Sequence, residues 1–256
     1  MGMASVLSAE LILMNAAREK ILKDLWKKIK PGNTSKKMKI NHICFDLDGT
    51  LVDSKETIIK STISALDSLN IPHKIDHKKF SNMIGLHFND IFSEFNIPVT
   101  DFDTFINIYK SEYFKYISDS VLYDGVKIVL KDLSEKKVKI SLLTTKGQDQ
   151  ADRLIDHFEL RNYFSFVMGR RDGLKHKPSP ESLLFICDEI NVEPKGTLMV
   201  GDTELDILCG KNAGAKTCAV SYGYRTENQL KENKPDFFIN NLSELISILN
   251  NKKGDH

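Results

Sequence analysis

Two aspartates separated by one residue follow an apolar segment near residue 46. Asp46 and Asp48 stand directly after Ile40–Phe45, within the sequence FDLDGTLVDS. Two carboxylates this close repel each other unless a cation or a cationic side chain lies beside them. Carboxylate oxygens are hard ligands that suit Mg²⁺, and a bound metal can hold a phosphoryl group beside a reactive side chain. The pair therefore indicates a metal site, a catalytic site, or both.

A calcium-binding loop and a structural acidic turn are the alternatives for this motif. In a calcium loop a glycine stands sixth and a glutamate closes the loop at the twelfth position, whereas Gly49 is the fourth residue here and Thr57 occupies the closing position. An acidic turn would leave unexplained the polar residues that follow other predicted strands. We therefore favour a catalytic metal site.

The elements that must position these side chains alternate between strands and helices. The predicted strands are Ile40–Phe45, Val138–Leu143, Phe164–Met168, Thr197–Val200, Thr217–Val220 and Phe237–Ile239. Helical patterns lie between them, so we predict an α/β fold with a doubly wound parallel sheet. No strong strand signal falls between about residues 55 and 120, where the pattern predicts helices at 54–69, 77–85, 88–95 and 101–117, with Ser54 as N-cap of the first. We interpret 54–122 as an all-helical cap inserted into a core of 38–53 and 123–250.

Polar residues from separate segments should meet at one edge of this sheet. Asp46 and Asp48, Thr144 and Asp202 each follow a predicted strand. Ligands of open α/β sheets bind beyond the carboxyl ends of the strands. We therefore expect these side chains to share one site.

Four motifs in chain order resemble those of the haloacid dehalogenase-like (HAD) superfamily. They are DLDGTLVDS from Asp46, SLLT ending at Thr144, KPSPE from Lys177, and GDTELD from Gly201 to Asp206. The resemblance covers about residues 39–250. It implies a Rossmann-like HAD core, and the inserted helices resemble the helical cap of the phosphoglycolate phosphatase-like branch.

The resemblance implies a role for each catalytic residue. Asp46 would be the nucleophile, forming an aspartyl-phosphate. Asp48 would protonate the leaving oxygen and then take a proton from water. Thr144 would hydrogen-bond the phosphoryl oxygens, and Lys177 would offset the charge of Asp46 and phosphate.

The resemblance also implies a cofactor, Mg²⁺. The metal residues would be Asp46, Asp48 through its backbone carbonyl, and Asp202. Asp206, one helical turn after Asp202, would stand behind these ligands and orient them.

Substrate contacts are expected from the loops around the first two motifs and from the cap. The candidate residues are Gly49, Thr50, Gly85, His87, Thr145 and Lys146. His87 can equally be a partly exposed loop histidine. Arg170 and Arg171 are interpreted as a solvated turn, and Tyr222–Arg225 as a segment that can reach the rim of the site.

The predicted function is hydrolysis of a small phosphorylated metabolite, of phosphoglycolate or sugar-phosphate type, by a Mg²⁺-dependent phosphatase. Dehalogenases of the superfamily lack the second aspartate, and phosphonoacetaldehyde hydrolases use a cap lysine that has no counterpart in NMIGLHFND. Inorganic pyrophosphatase and sugar phosphomutase remain open alternatives. A non-catalytic phosphate-sensing or scaffold protein is the alternative of another class, and Asp48 argues against it because binding alone needs no proton-handling group.

Composition and charge limit the partners. The formal net charge of +1 over 256 residues gives no overall positive potential that would favour nucleic-acid binding. No apolar run approaches the roughly 20 residues of a membrane span. Four cysteines without CxxC spacing predict small buried residues in a reducing compartment, so we expect a cytoplasmic protein. A monomer and a homodimer are both compatible with the sequence.

The first 37 residues have a separate pattern. An amphipathic helix with a basic side is predicted from Ser8 to about Lys30, followed by a linker. It can be an appendage, a targeting segment, or a helix that contacts a membrane or a partner. Residues 251–256 are predicted to form a polar tail.

Overall fold

A computed structural model describes residues 39–250 of the chain, and the eight strands of this part form two sheets. The strands are β1 (His42–Phe45), β2 (Val52–Asp53), β3 (Val121–Leu122), β4 (Lys139–Gly147), β5 (Phe166–Arg170), β6 (Thr197–Gly201), β7 (Lys216–Val220) and β8 (Phe237–Ile239). The predicted N-terminal helix and the polar tail lie outside the described residues. Six strands form a parallel sheet in the order β5-β4-β1-β6-β7-β8, while β2 and β3 pair antiparallel. The predicted α/β fold with a doubly wound parallel sheet is confirmed.

The α-helices of the described residues flank the sheet or lie between β2 and β3 along the chain. They are α1 (Lys55–Ser68), α2 (His77–Ser81), α3 (Phe88–Glu94), α4 (Phe102–Lys115), α5 (Val126–Glu135), α6 (Gln148–His157), α7 (Glu181–Glu189), α8 (Glu204–Asn212), α9 (Glu227–Glu232) and α10 (Glu244–Asn250). The sequence pattern missed α9 and the short strand pair β2 and β3.

Alternating residues of β1 pack on opposite faces of the sheet, because successive side chains of a strand point in opposite directions. Ile43 and Phe45 belong to a hydrophobic cluster that includes residues of α5 and α6. Cys44 belongs to a second cluster, which includes residues of α7. β1 is buried along its whole length, as expected for a central strand covered on both faces.

Helices α1 to α4 form an insertion with a hydrophobic cluster of its own. This cluster is rich in aromatic residues, among them Phe80, Phe92, Phe105 and Tyr113, and it also includes Tyr224 from the segment after β7. The insertion leaves the core through β2 and returns through β3, whose pairing holds the two connections together. The proposed boundaries of core and cap stay a prediction.

Ser54 precedes α1, but its hydroxyl does not cap the helix. No side-chain capping hydrogen bond is made, and the Ser54 hydroxyl donates instead to the Asp48 carboxylate. The sequence-based N-cap assignment is therefore wrong about the side chain. The hydroxyl donates to a charged acceptor, which makes a stronger hydrogen bond than a neutral one, while its oxygen accepts from no backbone N–H of α1.

A buried histidine joins three strands at the other end of the sheet. The ring of His42 lies 2.9 Å from Thr197 Oγ1 and 2.8 Å from Ser141 Oγ, so it links β1 with β6 and β4. His42 is fully buried. Burial, with a smaller contribution from nearby Lys139, lowers its pKa to about 4.

The remaining compositional expectations concern cysteines and membranes. Cys44, Cys187, Cys209 and Cys218 are all buried and free, as predicted for small apolar residues. Within residues 39–250, no helix has the length and apolar character needed to cross a bilayer.

Candidate active site

The predicted site residues meet at the carboxyl ends of the central strands. β1 pairs in parallel register with both β4 and β6, so Phe45 lies opposite Leu142 and Val200. Asp46 and Asp202 follow β1 and β6 directly. Thr144 lies within β4, because that strand continues to Gly147 instead of ending at Leu143 as predicted.

Lys177 reaches this edge from the loop before α7. Its Nζ lies 2.8 Å from Asp46 Oδ1 and 2.6 Å from Asp206 Oδ1. The lysine side chain is only 2% exposed and those of Asp46 and Asp206 are 9% and 1% exposed, so the three charges are shielded from water. The contact with Asp46 is therefore an ion pair between two buried side chains.

Asp206 binds Lys177 with one carboxylate oxygen and the N-terminus of its own helix, α8, with the other. Its Oδ1 accepts from Lys177, while its Oδ2 accepts from the backbone N–H and the hydroxyl of Thr203, which forms a capping box at the start of α8. Both oxygens therefore have donors. The position of Asp206 behind the metal ligands stays a prediction.

Asp202 is held by two donors from distant parts of the chain. Its Oδ1 accepts from the Thr50 hydroxyl at 3.2 Å, and its Oδ2 accepts from the backbone N–H of Tyr224 at 2.8 Å. Two glycines make this close packing possible. A Cβ atom at Gly49 would lie 2.3 Å from Asp202 Oδ2, and one at Gly223 would lie 2.2 Å from Asp202 Cβ.

Three buried carboxylates share one ammonium group at this edge. Oxygen atoms of Asp46, Asp202 and Asp206 all lie within 4.8 Å of one another. Burial raises the pKa of Asp46 well above its usual value, against the opposing effect of Lys177. Burial and the Asp206 charge raise the pKa of Asp202 to about 7. For Lys177, burial acts against the charge, but Asp206 and Asp46 raise its pKa.

This charge imbalance fits a divalent cation. One ammonium leaves an excess of negative charge among the carboxylates, and a buried uncompensated carboxylate is strongly disfavoured. The donors are oxygens only, which suits Mg²⁺ better than a thiolate-seeking metal. Asp46, Asp202 and Asp206 form a cluster that could hold such an ion.

Asp48 has a different environment from Asp46. One carboxylate oxygen accepts from Ser54, and the other lies 3.3 Å from Lys146 Nζ. The same Lys146 ammonium lies 4.2 Å from the ring centroid of Tyr113, which belongs to α4 of the insertion. The two aspartates of the motif are therefore each paired with a different lysine.

A small cavity of about 100 Å³ joins the core to the inserted helices. Its wall includes the predicted catalytic side chains of Asp46, Asp48, Thr144 and Lys177. Of the predicted substrate-binding residues, the wall includes Gly85, His87, Thr145 and Lys146. The apolar wall comes mainly from the insertion, with Ile58, Phe80, Ile84, Leu86, Phe88, Ile91, Ile106 and Tyr109.

Gly49 and Thr50 do not line this cavity, although both were predicted to contact substrate. Thr50 is fully buried and donates to Asp202, and Gly49 packs against the same carboxylate. They support Asp202 because the chain turns away from the cavity after Asp48. The motif spacing alone does not show the direction of this turn.

Some residues that lie beside the site were missed from the sequence, and others were assigned to the protein surface. Arg170 is the last residue of β5 and lines the cavity, so the predicted turn is wrong, although the residue is exposed as predicted. Gln150 of α6 is buried and also lines the cavity. Tyr224 and Arg225 are buried beside the site, which the position of their segment after a predicted strand only hinted at.

The chain is similar to known proteins over most of the described residues. Residues 43–220 match the family model of haloacid dehalogenase-like hydrolases. The chain belongs to that family. The match includes the first motif, the Thr144 segment, Lys177 and the Asp202 loop, so the predicted superfamily and the prediction of an enzyme are confirmed.

Relatives and solved structures extend the likeness over most of the chain. Pyrophosphatase PpaX of Bacillus cereus (strain G9842) is 32% identical over 84% of this chain and 98% of that protein. Pyrophosphatase PpaX of Bacillus mycoides (strain KBAB4) is 33% identical over 85% of this chain and 100% of that protein. A crystal structure described as a predicted phosphoglycolate phosphatase from Haemophilus somnus 129pt has a TM-score of 0.72 and 25% identity, covering 83% of this chain and 99% of that one. These names agree with the predicted phosphatase class.

Proposed function

We propose that this chain is a Mg²⁺-dependent phosphatase that hydrolyses a small phosphorylated metabolite, of phosphoglycolate or sugar-phosphate type. The observation that carries the proposal is the pairing of Asp46 with Lys177 in the cavity wall, while Asp48 is paired separately with Lys146. A nucleophilic carboxylate and a proton-handling carboxylate need different surroundings. Asp46 lies beside Lys177, whereas Asp48 also accepts from the Ser54 hydroxyl.

In the first step, a carboxylate oxygen of Asp46 forms a bond to phosphorus and the bond to the leaving oxygen breaks. The proton on Asp48 passes to that leaving oxygen. Thr144 donates to the phosphoryl oxygens, and the Lys177 ammonium offsets negative charge on Asp46 and on phosphate. When bound by Asp46, Asp202 and the Asp48 carbonyl, Mg²⁺ supplies a positive charge that draws the anionic substrate to the nucleophile.

In the second step, water attacks the phosphorus of the aspartyl-phosphate. Asp48 takes a proton from the attacking water, which replaces the one that it gave to the leaving oxygen. The bond between phosphorus and the Asp46 oxygen breaks, so phosphate is released and Asp46 is again a free carboxylate. Asp206 keeps Lys177 in place throughout, because its Oδ1 lies 2.6 Å from the lysine Nζ. The inserted helices supply most of the apolar wall of the cavity, which would limit the access of other water molecules.

Inorganic pyrophosphate is a second candidate substrate. It is favoured by the names of the similar PpaX proteins. In this case the leaving group is a second phosphate, and the ammonium of Lys146 beside Asp48 would face it.

The experiment is phosphate release from a panel of phosphorylated metabolites and pyrophosphate, with Mg²⁺ and with chelator. We expect one substrate class to be hydrolysed only with Mg²⁺. Asp46→Asn should lose about 10⁴-fold or more in kcat, as is common when a nucleophile is removed. Asp188→Asn is the matched control, because Asp188 is exposed on α7.

Each outcome decides between a hydrolase that uses Asp46 and the alternative functions. Metal-dependent release that survives in Asp46→Asn would contradict the proposed nucleophile. No release from any panel member would contradict a hydrolytic function, and sugar-phosphate isomerisation would then identify a mutase.

A further inference from the structure

The segment Tyr222–Arg225 connects the core to the inserted helices next to the candidate metal site. It follows β7, and its backbone passes so close to Asp202 that Gly223 has no room for a side chain. The Tyr224 N–H donates to Asp202, while the Tyr224 hydroxyl accepts from the Ser54 backbone N–H at 3.0 Å. One short segment therefore contacts both the core carboxylate and the start of the insertion.

Arg225 continues this connection with a buried guanidinium group. Its Nε and Nη2 donate to the two carboxylate oxygens of Glu204, at 2.8 and 3.2 Å. Its Nη1 donates to the backbone carbonyl of Ile84 at 3.0 Å. The arginine side chain is 3% exposed, whereas that of Glu204 is 30% exposed. The fixed geometry of the guanidinium lets one side chain bind a core carboxylate and an insertion carbonyl together.

The carbonyl that Arg225 binds begins the loop that forms part of the cavity wall. Residues 84–87 all line the cavity, with His87 at the loop end and α3 beginning at the next residue. Gly85 has a φ of 101°, and a Cβ there would lie 3.6 Å from Thr203 Cγ2, so the loop rests on the residue after Asp202. A change in the position of Ile84 would move the whole loop relative to the catalytic carboxylates.

We propose that Arg225 is a positioning residue that fixes the loop of residues 84–87 over the cavity and thereby sets the affinity for substrate. The proposal rests on the proposed function, since it assumes that substrate binds in this cavity. Arg225 does not line the cavity and is not proposed to contact substrate. It acts through the carbonyl of Ile84, with Glu204 holding the guanidinium in the required orientation.

The kinetic test compares Arg225→Lys with the wild-type enzyme. Lysine keeps the charge but cannot bind Glu204 through two donors and Ile84 through a third. We expect KM for the substrate found in the panel to rise about tenfold, the effect of one hydrogen bond to a charged group, with kcat changed by less than about threefold. Glu204→Gln should raise KM in the same way, and the double variant should be no worse than the worse single variant, because both changes break one linkage.

Arg161→Lys is the matched control. Arg161 also binds carboxylates with several donors, those of Asp152 and Asp156, but it lies outside the cavity wall. We expect its KM to equal that of the wild type. A KM that is unchanged in Arg225→Lys, or changed equally in Arg161→Lys, would overturn the proposal. Additive effects in the double variant would contradict the role of Glu204.

Amide hydrogen exchange tests the same linkage without substrate. The N–H groups of Ile84 and Leu86 donate to the backbone carbonyls of Ser81, at the end of α2, and of Met83, just before the loop. In Arg225→Lys their exchange should be about tenfold faster, while exchange in α5 stays at the wild-type rate. Unchanged exchange would overturn the proposed positioning even if the enzyme were active. If no substrate were found but exchange rose as expected, the proposed function would fail while the loop linkage stood, and the assignment to substrate affinity would be withdrawn.

Discussion

Acidification should weaken the fold through one buried side chain, His42. The folded protein disfavours the imidazolium form because the ring is buried between β4 and β6, and its pKa is lowered to about 4 from a usual value of 6.5. A group whose pKa is lower in the folded state binds protons mainly in the unfolded state as the pH falls. His42 therefore contributes fully above pH 6.5, and this contribution is lost between about pH 6.5 and pH 4.

The two pKa values set the size of the effect. Their difference corresponds to about 3 kcal/mol of unfolding free energy between pH 8 and a pH below 4. About 2 kcal/mol of this should already be lost at pH 5. The figure applies to a fully buried ring, so it needs no correction for solvent screening.

The assay is urea unfolding of wild type and His42→Gln at pH 8 and at pH 5. Glutamine can keep hydrogen bonds to Ser141 or Thr197 but does not titrate. We expect the wild type to lose about 2 kcal/mol more than the variant over this range. Carboxylates that titrate in both proteins cancel in the difference, as is usual for separate sites.

An independent observation and a control complete the test. The imidazole resonances that are missing from His42→Gln should titrate near pH 4 in the wild type. His157→Gln, at an exposed position on α6, should retain the wild-type pH dependence. If wild type and His42→Gln lost the same unfolding free energy between pH 8 and pH 5, the argument from burial would be refuted.

Three further predictions concern the carboxylate cluster. Lys177→Met should lower the unfolding free energy, measured by urea unfolding in chelator, by about 3–5 kcal/mol, because Asp46 and Asp206 lose their buried cation. An unchanged unfolding free energy would contradict this prediction. Mg²⁺ at about 100 times its Kd should stabilise the wild type by about 2.7 kcal/mol in thermal unfolding. Asp202→Asn should lose most of this gain, and an equal gain in both proteins would place the ion elsewhere. Gly223→Ala should lower the unfolding free energy by about 1–3 kcal/mol and weaken the stabilisation by Mg²⁺, because its Cβ would lie 2.2 Å from Asp202 Cβ. If the variant bound Mg²⁺ with wild-type affinity, that packing argument would be wrong.

The amino-acid sequence by itself was enough to predict the α/β class and the edge of the sheet where the site lies. Apolar runs that end in Asp46 and Asp202 locate strand ends without any tertiary information. Because parallel strands bring their carboxyl ends to one edge, the convergence of these residues follows from the pattern. Lys177 is different, since only its motif context and not its periodicity marked it.

Only the tertiary structure decided how these groups are held. Local spacing reports burial and helix or strand period, but it carries no information on which distant donor reaches a given carboxylate. Asp202 is held by Tyr224, and Thr50 is turned away from the cavity towards the same carboxylate. The Ser54 hydroxyl donates to the Asp48 carboxylate and does not cap its own helix. Arg225 joins Glu204 to a carbonyl 141 residues earlier in the chain, at Ile84, and such a contact exists only once the core and the inserted helices have packed together.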